Sequence, residues 1–311
     1  MRDRRCQLIL SVQHTIMRAI RECLDAKGFT ELLPPIIGPV TDPGIRGAKQ
    51  ATVDYYGQSY KVMSSAILYK QMMATSLGKV YFFSPNVRIE PPESAMTRRH
   101  LAEFVQVDLE MAHASYIEAM EVAEDLVVSV VRRVKNVNSR ELDELGRKLS
   151  IPDRPFPRIS HREAVDSLRS KGCRVDGAKE IPWSEESILS GFFETPFFIY
   201  DYPFGSRGFY DRQDTDHPGI LRDFDLMYPE GYGEAASGAE REHEYETVVK
   251  RISSNGEDPL RYGWYLDMLR EGISPTAGFG IGVERLTRYV CGLSAVWEAR
   301  PYPKVAEIFS P

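Results

Sequence analysis

The stretch Gly278-Phe279-Gly280-Ile281-Gly282-Val283-Glu284-Arg285 predicts a glycine-rich strand that passes directly into a helix. Glycine stands at every second position up to Gly282, and the residues from Val283 to Cys291 have helical character. This spacing does not fit a dinucleotide-binding loop, which needs the pattern GxGxxG after a strand. The chain also contains no P-loop motif. A nucleotide-binding site here would therefore need another arrangement of phosphate-binding groups.

A second informative pattern lies closer to the N-terminus. The segment from Phe104 to Ala112 alternates apolar and polar residues, as strands do. Four of its side chains share one face of that strand: Phe104, Gln106, Asp108 and Glu110. Two carboxylates beside an aromatic ring are unusual on a face that meets only solvent, so this strand predicts a functional site.

The predicted strands are mostly of the antiparallel type, and helices flank them. The capping box Ser115-Tyr116-Ile117-Glu118 predicts the start of a helix that extends to about Val134. We therefore predict an α+β fold, not a doubly wound parallel sheet, in a single domain over residues 1–311. Residues 136–183 are polar and mixed, and they predict a small inserted helical module.

The composition excludes several classes of protein. A chain of 311 residues with 42% hydrophobic and 27% charged residues can fill a core, so it is not globally disordered. No apolar run reaches the roughly 20 residues that a membrane span requires. The net charge of −6 is unlike that of a dedicated nucleic-acid binder. Four scattered cysteines without a CxxC pair argue against a zinc site and favour the cytoplasm.

Four stretches, including the glycine-rich one, combine charged, aromatic and glycine residues. They are Leu68 to Gln71, Pro85 to Glu90 with Arg98 to Phe104, Gly233 to Arg241, and Gly278 to Leu286. Each one alone is most simply a solvated loop or part of a core. Together they supply cations, an aromatic platform and acidic groups, which is what binding a nucleoside triphosphate needs when no P-loop is present.

These stretches resemble the signature motifs of class II aminoacyl-tRNA synthetases, in the aspartyl/asparaginyl group. The first motif is the helix that ends at Gly28 together with the segment to Pro35. The second joins Arg88-Ile89-Glu90 to Arg99 through Phe104, and the third is Gly280 to Arg285. The resemblance runs from about Arg2 to Pro311. It implies an antiparallel six-stranded sheet flanked by helices, ATP and Mg²⁺ as cofactors, and a homodimer.

The resemblance also implies roles for individual residues. Arg88 and Arg285 are the implied catalytic residues, with Arg88 on the α-phosphate and the substrate carboxylate. The implied ATP-binding residues are Arg88, Glu90, Arg99, His100, Phe104, Glu234, Gly282 and Arg285. Among these, Phe104 and Arg285 enclose the adenine, and Arg99 and His100 hold the pyrophosphate. The implied metal ligands are Asp225, Glu234 and Ser237.

The amino-acid pocket resembles the aspartyl type on a scaffold of the asparaginyl type. The residues implied to bind aspartate are Lys70, Asp108, Ser237 and Arg241. A lysine and an arginine on one small carboxylate favour aspartate over asparagine. The hairpin from Tyr228 to Glu234, in contrast, is of the asparaginyl type.

No anticodon-binding barrel precedes the first motif in this sequence, so we expect tRNA not to be the acceptor. Ammonia is then the simplest acceptor, as in archaeal asparagine synthetases related to asparaginyl-tRNA synthetase. The first hypothesis is therefore ATP-dependent amidation of L-aspartate, through aspartyl-adenylate, to L-asparagine, AMP and pyrophosphate. The alternative is a truncated synthetase paralogue that transfers aspartate to an RNA or a protein. A third hypothesis is a sensor without enzymatic activity.

Overall fold

The glycine-rich strand lies near the middle of a large sheet. The structure is a computed structural model that describes residues 3–42 and 48–305. Within those residues the strands are β1 (Thr30–Glu31), β2 (Ile37–Gly38), β3 (Thr52–Tyr55), β4 (Gln58–Val62), β5 (Lys79–Val87), β6 (Glu103–Ala112), β7 (Arg158–Ser160), β8 (Phe197–Tyr200), β9 (Asp223–Tyr228), β10 (Gly233–Glu240) and β11 (Thr276–Gly282). Eight of these described strands form the large sheet, and β2, β4 and β3 form a small one.

Helices flank the large sheet. In the described residues they are α1 (Arg4–Ala26), α2 (Ile67–Leu77), α3 (Tyr116–Val137), α4 (Ser139–Leu145), α5 (His161–Ser170), α6 (Trp183–Ser190), α7 (Tyr245–Ser254), α8 (Gly263–Glu271) and α9 (Val283–Cys291). Short 3₁₀ helices span Pro92–Thr97, Pro259–Tyr262 and Val296–Ala299. No described helix combines the length and the apolar character needed to cross a lipid bilayer.

The large sheet has the strand order β1-β5-β6-β11-β10-β9-β8-β7. All neighbours from β5 to β8 pair antiparallel. The two edge strands, β1 and β7, are short and pair parallel to β5 and β8. The predicted α+β fold with a six-stranded antiparallel sheet is thus confirmed, and one short parallel strand extends it on each side.

The register explains the alternating glycines of β11. Gly280 pairs with Asp108 on one side and with Ser237 on the other, and Gly278 pairs with Glu110. Because successive residues of a strand point to opposite faces, the β11 glycines lie on the same face as these polar side chains. The other face carries Phe279 and Ile281, which are buried in the main core against α1, α3 and α9.

Local signals explain the two long helices behind the sheet. Along α1, Ile16, Ile20 and Leu24 are fully buried on one face. The predicted capping box of α3 is present, with Ser115 Oγ accepting from the Glu118 backbone N–H.

The sequence predicts a helical module over residues 136–183, but the structure shows that this segment is not purely helical. It contains α4 and α5, but also β7, which extends the large sheet beside β8. The strand β7 was not predicted because its three residues are too few to show an alternating pattern. That this segment is an insertion stays a prediction.

His161 is a buried titratable group in this segment. Its side chain is 3% exposed, its Nε2 donates to the Lys179 carbonyl at 2.9 Å, and its ring contacts that of Tyr202 at 4.7 Å between centroids. Burial, with a smaller effect from the Arg207 charge, lowers the pKa of His161 to about 4, although the hydrogen bond to the Lys179 carbonyl opposes this shift. The folded protein therefore holds this imidazole neutral.

This burial predicts a loss of stability in mild acid. The unfolded chain protonates His161 near its ordinary pKa of about 6.5, whereas the folded protein resists protonation down to about 4, so the contribution is complete above 6.5 and declines below it. Between pH 7.5 and 5 we expect this residue to cost roughly 2 kcal/mol of unfolding free energy.

Urea unfolding of wild type and His161→Asn at both pH values measures that cost. The wild-type loss should exceed that of the variant by this amount. The matched control is His217→Asn, because His217 lies on the surface. Equal pH dependence in wild type and His161→Asn would show that His161 does not contribute.

Candidate active site

A cavity of about 600 Å³ opens over the β11 glycines. Nearly all of the predicted site residues line it: Lys70, Arg88, Glu90, Arg99, His100, Phe104, Asp108, Glu234, Ser237, Arg241, Gly282 and Arg285. Asp225 does not line it. Residues from distant parts of the sequence thus meet in one place, although their individual roles stay predictions.

One end of the cavity is cationic and aromatic. The Arg88 guanidinium lies over the Phe104 ring, 5.2 Å from its centroid, and its Nε donates to the Ser64 carbonyl at 3.1 Å. These two residues come from neighbouring strand ends, because Arg88 follows β5 and Phe104 is the second residue of β6. A flat apolar ring beside a fixed positive charge suits a purine attached to a phosphate.

Arg285, in the first turn of α9, completes this end. Its Nη1 lies 3.2 Å from Glu234 Oε1 and also 3.4 Å from the Glu234 carbonyl oxygen. Burial raises the pKa of Glu90, and the positive charges of Arg88 and Arg285 partly oppose that rise. The charged side chains of Arg88, Glu90 and Arg285 therefore line the cavity near Phe104.

Glu284, which comes directly before Arg285 in α9, anchors the helix. Its carboxylate accepts from the Val105 backbone N–H at 3.1 Å and pairs with Arg300 at 3.0 Å. It is 2% exposed. Glu284 therefore fixes the start of α9 against β6, which sets the position of Arg285.

Helix α6 forms a side of the cavity that the sequence did not predict. Its first residue, Trp183, packs against His100 with ring centroids 4.1 Å apart. Its Glu186 pairs with Arg99 at 2.8 Å, and both side chains are buried. Arg99, predicted to hold pyrophosphate, is therefore already bound to a carboxylate in the described structure.

His100 is held as a neutral imidazole. Thr97 Oγ1 donates its proton to the Ser94 carbonyl at 2.7 Å, so His100 Nδ1 is the donor in its 2.6 Å contact with Thr97 Oγ1. Burial, together with the charges of Arg285 and Arg99, lowers the pKa of His100 to about 2. With its proton on Nδ1, the neutral ring offers a ligand only the acceptor nitrogen Nε2, and it supplies no positive charge.

The other end of the cavity is polar and charge-balanced. Lys70, in α2, is 2% exposed, and its Nζ donates to Asp108 Oδ1 at 3.0 Å and to the Phe279 carbonyl at 2.9 Å. Glu110 lies 3.8 Å from the same ammonium. Lys70 is thus already paired with carboxylates of the protein, and its role in binding aspartate stays a prediction.

Arg241 shows the same pairing. Its Nε and Nη2 donate to the two carboxylate oxygens of Glu110 at 3.0 and 3.3 Å. Glu110 is fully buried on β6, one pleat beyond Asp108. A guanidinium held in this fork has fewer N–H groups left for a ligand.

The predicted metal ligands Asp225, Glu234 and Ser237 all contact arginines in the described structure, and their role as metal ligands stays a prediction. Asp225 is 1% exposed, and its Oδ2 accepts from Arg207 at 2.6 Å and from the Tyr202 hydroxyl at 2.7 Å. Ser237 Oγ lies 3.4 Å from Arg207 as well. Carboxylate and hydroxyl oxygens suit Mg²⁺. Here, however, the carboxylates of Asp225 and Glu234 are bound by arginines, and no described group of three acidic, histidine or cysteine side chains could hold a metal ion.

Several cavity residues escaped the sequence analysis. They are Glu180, Trp183, Arg207, Tyr210 and Asp211. Trp183 lies in the segment set aside as an insertion, and Arg207 to Asp211 lie in a stretch without helical or strand periodicity. The pair Gly205-Ser206 before Arg207 marks a turn that could bring this stretch to the site, but no local signal shows where it packs.

The comparisons with known proteins agree in pointing to one family. The family model of tRNA synthetases class II (D, K and N) matches residues 1–306. An asparagine–tRNA ligase from Sorangium cellulosum is 37% identical over 100% of this chain and 72% of its own length. One from Thermococcus kodakarensis is 37% identical over 98% of this chain and 70% of its own length.

Solved structures give the same result. The asparaginyl-tRNA synthetase of Pyrococcus horikoshii, complexed with asparaginyl-adenylate, superposes with a TM-score of 0.93 at 35% identity, over 100% of this chain and 71% of that one. An aspartyl-tRNA synthetase from Entamoeba histolytica gives 0.82 at 27% identity, over 98% of this chain and 59% of that one.

These findings overturn the first functional hypothesis. Relatives that match the full chain at 35–37% identity are asparagine–tRNA ligases, and the structure matches asparaginyl-tRNA synthetases, not a free asparagine synthetase. Amidation of aspartate with ammonia is therefore wrong as a prediction. The expectation that tRNA is not a partner has no support either, because the relatives are tRNA ligases, which favours tRNA as a partner.

Proposed function

Because this chain belongs to the class II tRNA synthetases of the D, K and N group, we propose that it activates asparagine with ATP and transfers the asparaginyl group to a tRNA. The reaction has two steps. In the first, an oxygen of the amino acid's α-carboxylate attacks the α-phosphorus of ATP, and pyrophosphate leaves. In the second, a terminal ribose hydroxyl of the tRNA attacks the acyl carbon, and AMP leaves.

The observation that carries this proposal is the division of one cavity into two chemically different ends. Arg88, Phe104 and Arg285 surround the cationic and aromatic end, while Lys70 and Arg241 mark the polar end. Its volume of about 600 Å³ lies within the range of ordinary small-molecule sites. Such a cavity suits an aminoacyl-adenylate, whose adenine and amino acid are joined through one phosphate.

Arg88 lies at the cationic end of the cavity, over the Phe104 ring. From there its guanidinium can donate to the α-phosphate and to the attacking carboxylate, which brings two anions together and opposes the charge that grows on phosphorus. Phe104 and Arg285 enclose the adenine from opposite faces in this arrangement. Glu90 is placed near the same region and accepts from the adenine amino group.

Asparagine suits the polar end better than aspartate does. Lys70 is paired with Asp108 and Arg241 with Glu110, so neither cation is left to balance a second carboxylate of the substrate. Burying an uncompensated carboxylate is costly, whereas an amide needs only hydrogen bonds. The predicted preference for aspartate rested on the two cations alone. It did not include the carboxylates of Asp108 and Glu110 that pair with them.

Exposed apolar side chains support the homodimer that the resemblance implies. After α1, Leu33 is 96% exposed and Ile36 is 64% exposed. Two large apolar side chains near each other on a surface favour contact with a partner, and a two-fold axis would bring this region of two copies together.

The decisive experiment measures exchange of pyrophosphate into ATP with the purified protein, separately with L-asparagine and L-aspartate, followed by aminoacylation of bulk tRNA with radiolabelled asparagine. We expect exchange with asparagine and formation of asparaginyl-tRNA. Exchange with aspartate alone would assign the other amino acid. Exchange without any charged tRNA would contradict the proposed acceptor.

A further inference from the structure

A second carboxylate on Arg241 lies at the amino-acid end of the cavity. Asp211 Oδ1 accepts from Arg241 Nη1 at 2.9 Å, and both residues line the cavity. Asp211 is 6% exposed, and an isolated bridge pairs its backbone with that of Arg241. None of the motifs found in the sequence includes this aspartate.

The position of Asp211 is fixed from behind. Arg251, in α7, donates through Nη1 to the Asp211 carbonyl and through Nη2 to the Gly208 carbonyl, the latter at 3.2 Å. Burial raises the pKa of Asp211, and the guanidinium charges of Arg241, Arg207 and Arg251 oppose that rise. The carboxylate is thus held against Arg241 by main-chain contacts that do not depend on a ligand.

Counting the donors of Arg241 shows what Asp211 changes. A guanidinium has five N–H groups. Glu110 takes one on Nε and one on Nη2, the Gly278 carbonyl takes the second on Nη2 at 2.9 Å, and Asp211 takes one on Nη1. One N–H therefore remains. A bidentate grip on a substrate carboxylate needs two parallel N–H groups, whereas the carbonyl oxygen of an amide needs one.

The charges lead to the same conclusion. Of the described side chains that pair at this end, Lys70 and Arg241 are the cations. Asp108, Glu110 and Asp211 are the three carboxylates that pair with these two cations, and the charges of Arg207 and Arg251 also act on Asp211. The side-chain carboxylate of aspartate would therefore meet the Asp211 carboxylate already bound to Arg241, whereas the amide of asparagine would add no charge.

We propose that Asp211 is a specificity-determining residue, which makes the pocket accept a neutral side-chain amide and reject a side-chain carboxylate. This inference rests on the proposed function, since it concerns the amino acid that the same site activates. Asp211 acts by occupying Arg241 and by repelling the second carboxylate of aspartate, and it carries no chemical step itself.

The test compares the binding of L-asparagine and L-aspartate by calorimetry, in the presence of the α,β-methylene analogue of ATP, for wild type and Asp211→Asn. The variant keeps the shape and the acceptor oxygen but removes the charge. We expect wild type to prefer asparagine, and the variant to reduce the ratio of the two dissociation constants by at least about 10-fold. Asp211→Glu, which keeps the charge, should retain most of the preference.

The matched control is Asp216→Asn, an exposed aspartate in the same segment, for which the ratio should not change. If Asp211→Asn weakens both amino acids equally, Asp211 has only a structural role. If wild type prefers aspartate, the inference is also overturned. Asp211→Ser provides the same comparison should the asparagine variant fail to fold.

The same samples separate this inference from the proposed function. A preference for asparagine in binding, without pyrophosphate exchange or tRNA charging, would sustain the role of Asp211 and overturn the reaction. Exchange with both amino acids at similar efficiency would sustain the reaction and overturn the role of Asp211. Binding of neither amino acid would overturn both.

Discussion

Replacing Arg88 with alanine is expected to lower the rate of asparagine-dependent pyrophosphate exchange roughly 1000-fold. Arg88 lines the cavity over Phe104, and in the proposed reaction it contacts both the α-phosphate and the attacking carboxylate. A donor that faces developing charge in a site shielded from water contributes most in the transition state. We therefore expect the loss to fall mainly on kcat.

The fold should not suffer from this change. Arg88 is only half-buried, and its described side-chain hydrogen bond goes to the Ser64 carbonyl alone. Arg88→Lys should still be impaired at least about 10-fold, because a lysine cannot bridge two anions with a planar fork. Arg140→Ala is the control, since Arg140 is 83% exposed and distant from the cavity. Full activity in Arg88→Ala would remove Arg88 from the mechanism.

A single methyl group at Gly278 is expected to reduce the unfolding free energy by more than about 3 kcal/mol. A Cβ atom at this position would meet the Leu109 carbonyl and the Glu110 carboxylate, and would come within 2.8 Å of Glu110 Cα. Two of these neighbours belong to the backbone of β6 and cannot rotate away. The sheet would have to separate between β6 and β11, or the strand pairing would be lost.

Gly263→Ala is the matched control for Gly278→Ala. A Cβ at Gly263, which begins α8, meets no atom within 4 Å. Alanine favours a helix over glycine, so the control should be as stable as wild type or slightly more stable. Urea unfolding measures both variants. A Gly278→Ala protein within about 1 kcal/mol of wild type would show that β6 and β11 have more freedom than their register implies.

Local sequence signals account well for the sheet and its flanking helices. The alternating glycines and the run from Val283 to Cys291 predicted β11 and α9 at their observed bounds. The capping box at Ser115 predicted the start of α3. In each case the signal and the structure involve residues that are neighbours in sequence, so the pattern contains the information.

The charge state of the cavity could not be derived in that way. Arg241 and Glu110 are 131 positions apart, and Lys70 and Asp108 are 38 apart. The residue types alone show which cations exist but not which carboxylates they meet across the sheet. Lys70 and Arg241 therefore indicated an aspartate pocket, whereas in the structure both cations are paired with carboxylates. Asp211 was missed for the same reason, because its partner is fixed by the packing of an irregular segment.

The packing of Trp183 against His100 has an optical consequence. Of the three tryptophans in the chain, this one lines the cavity, while Trp264 and Trp297 belong to other clusters. The emission of an indole follows the polarity of its surroundings. Because His100 keeps a neutral ring through the range of ordinary buffers, the background intensity from Trp183 should stay constant between pH 5 and 8. Occupation of the cavity would therefore register as a change in intrinsic fluorescence, without a label or a coupled assay.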